Sequence, residues 1–289
     1  MATQPLYLAW ANPVRIHWGA GCFQSLAANG PVVVLADRAA LGYENETLLL
    51  ERLGAHCMAW SWFQGGLASV ALVQSLCDEL WWDTEVDTPS KLSWSPADGY
   101  AEQAWVDPEL SHSCPLRQSR DCALDTLAHA LESLWNRGSN PISEALAQDA
   151  ARRVIATLPL LLEQPDQRSL RAELSRASLL AGLAMSHTQT ALAHALSYEL
   201  TLREQMPHGE ACAVWLPMVW ELALGASPAC DAALERVFGV PAAEGVQYLR
   251  GWLDGLGIQP RDLRATPAGR STLAQELRSA RGRNFIGSP

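Results

Sequence analysis

From Pro115 onward the chain is written in an almost unbroken series of helical periods, and this restricts the fold more than any other feature. Apolar residues recur every three to four positions through runs at 141–162, 168–185, 187–202, 208–224, 229–237, 244–255 and 271–281, the spacing of amphipathic helices. Asn140-Pro141 opens the first run with a capping residue and a proline at the first helical position. Gly138 stops the helix before it, and Pro159 is expected to end or kink the run that contains it, because proline lacks the amide hydrogen. Before Pro115 the rhythm differs. Residues 14–18, 31–36 and 56–63 read as strands, and 45–53 and 66–80 as helices, an alternation that predicts a parallel sheet with right-handed crossovers. The expected organisation is an α/β domain over residues 1–111 followed by an all-α domain over 112–289.

Composition narrows the function classes. At 289 residues the chain can bury a large core, and 48% hydrophobic residues with a mean hydropathy of -0.02 suit a soluble protein. The formal charge of -10 argues against a nucleic-acid partner, which needs a basic face. Seven cysteines without a C-x-x-C spacing fit a reducing compartment, so a cytoplasmic location is expected. The apolar stretches are too short and interrupted for a membrane span, and the first residues lack a secretory pattern.

Four residues carry chemistry. Asp125 and His129 stand at i, i+4 within a helical pattern, so carboxylate and imidazole leave the same face one turn apart. His194 lies in a second helical run, and His208 follows Met206-Pro207 at the opening of a third. Three helices can thus aim one oxygen and three nitrogens at a point, a set without thiolate that suits Fe(II) or Zn(II). Taken singly, each histidine reads more readily as a satisfied polar residue in or near a core than as a ligand. Asp37, just past the strand at 31–36, stands where a ribose hydroxyl can be accepted; as a simple helix cap or turn residue it reads equally well.

The segments Ala104-Trp-Val-Asp-Pro-Glu-Leu-Ser-His-Ser-Cys-Pro115, Leu124-Asp-Thr-Leu-Ala-His-Ala-Leu-Glu132, Ala181-Gly-Leu-Ala-Met-Ser186 and Met206-Pro-His-Gly209 resemble those of the iron-containing (group III) alcohol dehydrogenases. The resemblance implies that Asp125, His129, His194 and His208 bind the metal, and that residues 1–111 are a truncated Rossmann-like parallel sheet. It implies an NAD(P)-linked alcohol dehydrogenase or aldehyde reductase, with the metal a Lewis acid on the alcohol or aldehyde oxygen. The stretch from His194 to Thr201 looks most like the phosphonoacetaldehyde reductase branch, which makes 2-hydroxyethylphosphonate. Where many members carry a second histidine this chain has Tyr198, assigned to orienting substrate or ribose or else to packing. Asp37 favours NAD(H) over NADP(H) in this family, and Lys91 is assigned to the nucleotide ribose or a substrate anion.

One departure stands out. The family's Gly-Gly-Gly-Ser turn, whose N–H groups hold the cofactor pyrophosphate, and its later Thr-Thr-Ala-Gly-Thr-Gly-Ser stretch are both missing. An internal deletion with its junction near 80–82 accounts for this, and Gly65-Gly66 is read as a loop rather than a substitute. The alternative is a shortened, non-catalytic relative that binds metal but not nucleotide. In either case the expected partners are a small alcohol or aldehyde and a second copy in a homodimer, with no nucleic acid and no membrane.

Overall fold

The computed structural model describes residues 14–26, 32–63 and 103–288. The chain divides into two compact units, one spanning Pro13–Pro115 and the other running from Leu116 onward.

In the first unit, β1 (Arg15–Trp18) pairs in parallel with β4 (Gln103–Val106), and β2 (Val32–Asp37) with β3 (Cys57–Phe63). The β-branched run Val32-Val33-Val34 favours the extended backbone. The parallel pairing is as expected, but the described strands form two separate two-stranded sheets. Helix α1 (Arg38–Leu53) leaves β2 directly, seven residues ahead of the expected start at 45. Ala39, Ala40 and Leu41 are strong helix formers, and Gly42 costs only about 1 kcal/mol within them. Asp107, just past β4, accepts from the N–H groups of Glu109 (3.0 Å) and Phe23 (3.1 Å), tying the β4 exit to the turn after β1. The expected helix at 66–80, Gly65-Gly66, the junction at 80–82 and Lys91 lie outside the described residues.

The second unit is helical: α2 (Leu116–Leu134), α3 (Pro141–Glu163), α4 (Arg168–Thr188), α5 (Leu192–Arg203), α6 (His208–Ala213), α7 (Leu216–Ala223), α8 (Pro228–Phe238), α9 (Ala242–Gly255) and α10 (Pro267–Glu276). Helix α2 is its axis. Leu124, Leu127 and Leu131 are fully buried, joined in one core by Leu158 of α3, Ala181 of α4, Leu192 of α5 and Trp220 of α7. At the start of α3, Asn140 Oδ1 accepts from Ile142 and Ser143 N–H while Ser143 Oγ accepts from Asn140 N–H, a reciprocal cap ahead of Pro141.

Two expectations on these helices are corrected, and the one at Pro159 is narrowed. Of the two outcomes expected at Pro159, an end or a kink, the end is excluded, because α3 continues to Glu163. The carbonyl that Pro159 leaves without a helical donor belongs to Ile155, four residues back, and the indole N–H of Trp252 on α9 donates to it at 3.1 Å. The run at 187–202 begins only at Leu192, because α4 runs to Thr188 and Gln189 breaks the helix at φ 62°. The run at 208–224 is two helices, with Pro217 in the first turn of the second. No described helix is long and apolar enough to cross a membrane.

Candidate metal centre

Helix α6 presses against α2 so closely that only glycine fits at its second residue. A Cβ on Gly209 would lie 1.8 Å from the carbonyl oxygen of Asp121 and 2.9 Å from the amide nitrogen of Asp125. Arg120 reinforces the contact, donating to Asp121 (3.0 Å) on its own helix and to Glu210 (2.8 Å) on α6. His208, the first residue of α6, is thereby carried to the face of α2 that bears Asp125 and His129.

His194 arrives on α5, whose start is held by an unusual device. Its capping position, Ala191, has no side chain able to take the orphan amides. The fully buried carboxylate of Glu132 on α2 takes them instead, accepting from the N–H groups of Ala191 (2.7 Å), Ala193 (2.5 Å) and His194 (3.2 Å). The same carboxylate lies 2.7 Å from His194 Nδ1. Three amide donors and the positive end of α5 hold Glu132 ionised. An ionised carboxylate can only accept, so Nδ1 carries the hydrogen and the remaining nitrogen, Nε2, is turned away from Glu132.

Asp125 Oδ1 lies where the three rings meet. It is 3.3 Å from Nε2 of His194, 3.7 Å from that of His208 and 3.8 Å from that of His129. The rings of His129 and His194 stack at 4.6 Å, and those of His194 and His208 meet edge-on at 5.3 Å. Asp125 Oδ1 and His194 Nε2 are both buried without a hydrogen-bond partner. Two buried acceptors facing each other without a hydrogen between them are costly, and a cation is what satisfies both. The donor set therefore fits a divalent metal ion.

The electrostatics of the site show what a metal ion must displace, a second proton on His194. Burial works against ionisation of Asp125, but the adjacent imidazoles of His194, His129 and His208 hold its carboxyl well below the usual range. Burial dominates at His129 and lowers its pKa, which keeps a nitrogen lone pair available. At His194 burial again opposes charge, yet Cys212, Glu132 and Asp125 outweigh it and raise the pKa well above its ordinary value.

Sequence reasoning did not single out Glu132 or Cys212. The donor atoms of Asp125, His194, His208 and Cys212 all lie within 4.8 Å of one another, so a thiol stands among a set expected to have none. Cys212 follows His208 by four residues, the spacing that singled out Asp125 and His129. Of the remaining expected site residues, Tyr198 lies on α5 one turn past His194, half-buried, with the Arg281 guanidinium 5.4 Å from its ring centroid. Asp37 is the last residue of β2, its side chain outside the described ones, as is all of Lys91.

Residues 120–261, which hold every one of these donors, match the family described as the Fe-containing alcohol dehydrogenase family, C-terminal. The 1-propanol dehydrogenase of Salmonella typhimurium is 34% identical over 147 residues, 50% of this chain and 40% of that protein. The 1,3-propanediol dehydrogenase of Klebsiella pneumoniae is 32% identical over 133 residues, 46% of this chain and 34% of that protein. The chain thus spans less than half the length of these relatives. Among solved structures, a sulfoacetaldehyde reductase from Bifidobacterium kashiwanohense in complex with NAD+ superposes with a TM-score of 0.76 at 19% identity, covering 97% of this chain and 95% of that one. An iron-containing alcohol dehydrogenase from Thermotoga maritima gives 0.74 at 19% identity, with the same coverages. Residues 120–261 are thus similar to the C-terminal domain of the Fe-containing alcohol dehydrogenase family.

Proposed function

We propose that Asp125, His129, His194 and His208 bind one divalent metal ion, Fe(II) or Zn(II), and that the chain is a metal-dependent, NAD(P)-linked alcohol dehydrogenase or aldehyde reductase. The observation that carries this reading is the buried, unpartnered pair Asp125 Oδ1 and His194 Nε2, with two further imidazoles beside it. When bound, such an ion supplies a Lewis acid for an alcohol or aldehyde oxygen. The protein's own part is positional. Asp125 stays ionised, Glu132 fixes the tautomer and tilt of His194, and Gly209 lets His208 reach the same point.

The substrate proposed is a small aldehyde with an anionic group, phosphonoacetaldehyde being reduced to 2-hydroxyethylphosphonate. Arg281, over Tyr198, supplies the cation such a group requires, and Tyr198 is proposed to orient substrate or ribose. The solved relative named a sulfoacetaldehyde reductase is in keeping with this class. Asp37 and Lys91 are proposed to meet the nucleotide.

A specific observation favours a second reading, a shortened relative that binds metal but no nucleotide. The chain lacks the glycine-rich pyrophosphate turn, and each charge-assisted hydrogen bond so lost is worth about 1.5–3 kcal/mol. One experiment separates the two. The full chain, stripped and reloaded with Fe(II) or Zn(II), is titrated with NADH by fluorescence and assayed for aldehyde-dependent NADH oxidation. Cofactor binding with metal-dependent turnover supports the dehydrogenase; one equivalent of metal without cofactor binding supports the shortened relative. No bound metal, or metal that persists in an Asp125→Ala, His208→Ala double variant, overturns both.

A further inference from the structure

We infer that Cys212 is a ligand of the same metal ion, so that the donor set includes one sulfur beside its carboxylate oxygen and imidazole nitrogens. The inference rests on the metal reading above and goes beyond it in the identity of the ligands. Cys212 lies on α6, one turn past His208, and is fully buried. Its Sγ is 3.8 Å from His208 Nε2 and 3.9 Å from Nδ1. The set whose donor atoms all lie within 4.8 Å of one another holds Cys212 and not His129.

The geometry permits a common ion. Bonds of about 2.0–2.2 Å to nitrogen and oxygen and about 2.3 Å to sulfur place two donors on one ion at most about 4.5 Å apart. The set need close only by a few tenths of an ångström. The second observation that points to a cation here is His194, buried, its Nε2 without a hydrogen-bond partner and 3.3 Å from an equally unpartnered Asp125 Oδ1.

Ligation replaces the Sγ–H bond with an Sγ–metal bond and releases the proton to solvent. A buried thiol with no ion beside it is a small apolar filler; beside an ion it is a soft donor that shifts the preference toward thiophilic metals such as Zn(II) and Co(II).

Cobalt(II) reports the ligand directly. The metal-free full chain titrated with Co(II) under anaerobic conditions is expected to gain visible d–d bands together with a near-ultraviolet sulfur-to-cobalt charge-transfer band, both saturating at one equivalent. Cys212→Ser is expected to lose the charge-transfer band and keep the d–d bands, whereas Cys230→Ser, altering another buried thiol, keeps both. Zinc-edge X-ray absorption of the unaltered chain needs no variant and is expected to show one sulfur scatterer near about 2.3 Å. Saturable d–d bands without charge transfer, or a zinc shell of nitrogen and oxygen alone, overturn the inference while leaving the metal reading intact. A charge-transfer band that survives in Cys212→Ser assigns the sulfur elsewhere and overturns it as well. No cobalt binding at all overturns both.

Discussion

Glu132 and His194 are joined twice, once through the His194 backbone N–H and once through its ring, at 3.2 and 2.7 Å. One buried carboxylate thus caps helix α5 and sets which imidazole nitrogen is available. Glu132→Gln keeps the shape but places an amide NH2 among donors that need an acceptor. The expected result is a loss of metal affinity of about 10–100-fold, as for other residues that orient a ligand, with a stability loss on the order of 3 kcal/mol. Calorimetric metal titration and urea denaturation measure the two. Unchanged affinity would show that His194 is oriented by other means.

Gly209 bears on the same centre from the opposite side. In Gly209→Ala the added methyl meets the Asp121 carbonyl, so α6 must lift from α2 and take His208 with it. The expected cost is about 1–3 kcal/mol of stability, together with weakened metal binding. Gly182, where an added Cβ meets nothing within 4 Å, provides the control: Gly182→Ala should leave metal affinity unchanged.

The continuation of α3 past Pro159 depends on a donor from another helix. Trp252→Phe removes the indole N–H and leaves the Ile155 carbonyl without a partner, an expected loss of about 1–3 kcal/mol. Pro159→Ala restores a backbone amide for that carbonyl, so the same Trp252 change should cost measurably less in the Pro159→Ala background. A double-mutant cycle by chemical denaturation gives the coupling; simple additivity would remove the indole from the explanation.

A surface network supplies a pH dependence. Burial raises the Glu221 carboxyl pKa, but hydrogen bonds from Arg264 and Arg250 outweigh it and lower the value; Asp262 is lowered chiefly by its hydrogen bond from Arg264. Carboxyls depressed on folding stabilise the fold above their ordinary values of 4.5 and 3.8, and that contribution fades as the pH falls toward the depressed ones. These groups are partly exposed, so the difference between the unaltered chain and Arg264→Met should be no more than about 1 kcal/mol. It should be constant near neutrality and shrink in acid. A difference that grows on acidification would contradict this.

What could be read from the sequence divides along the range of each interaction. The i, i+4 relation of Asp125 to His129 is local, as are the caps at Asn140 and the β-branched run of β2. The start of α5 was not legible, because its cap is Glu132, 59 residues before Ala191. Whether the helix would run on past Pro159 was not legible for the same reason, since Trp252 is 97 residues from Ile155. Cys212 stood at a legible spacing from His208, but a thiol at i+4 reads as ordinary core filling until the neighbouring helices are in place. Strand β4, four residues long, offered too few alternations to be separated from the loops beside it.

Every donor of the candidate centre, from Asp125 to Cys212, comes from the unit that begins at Leu116. Among the described residues, none of the donor atoms of the proposed cation site lies before Leu116. On the proposed reading, loss of material from the nucleotide side can extinguish turnover while leaving an intact ion trap, so bound metal by itself would say nothing about whether hydride transfer survives.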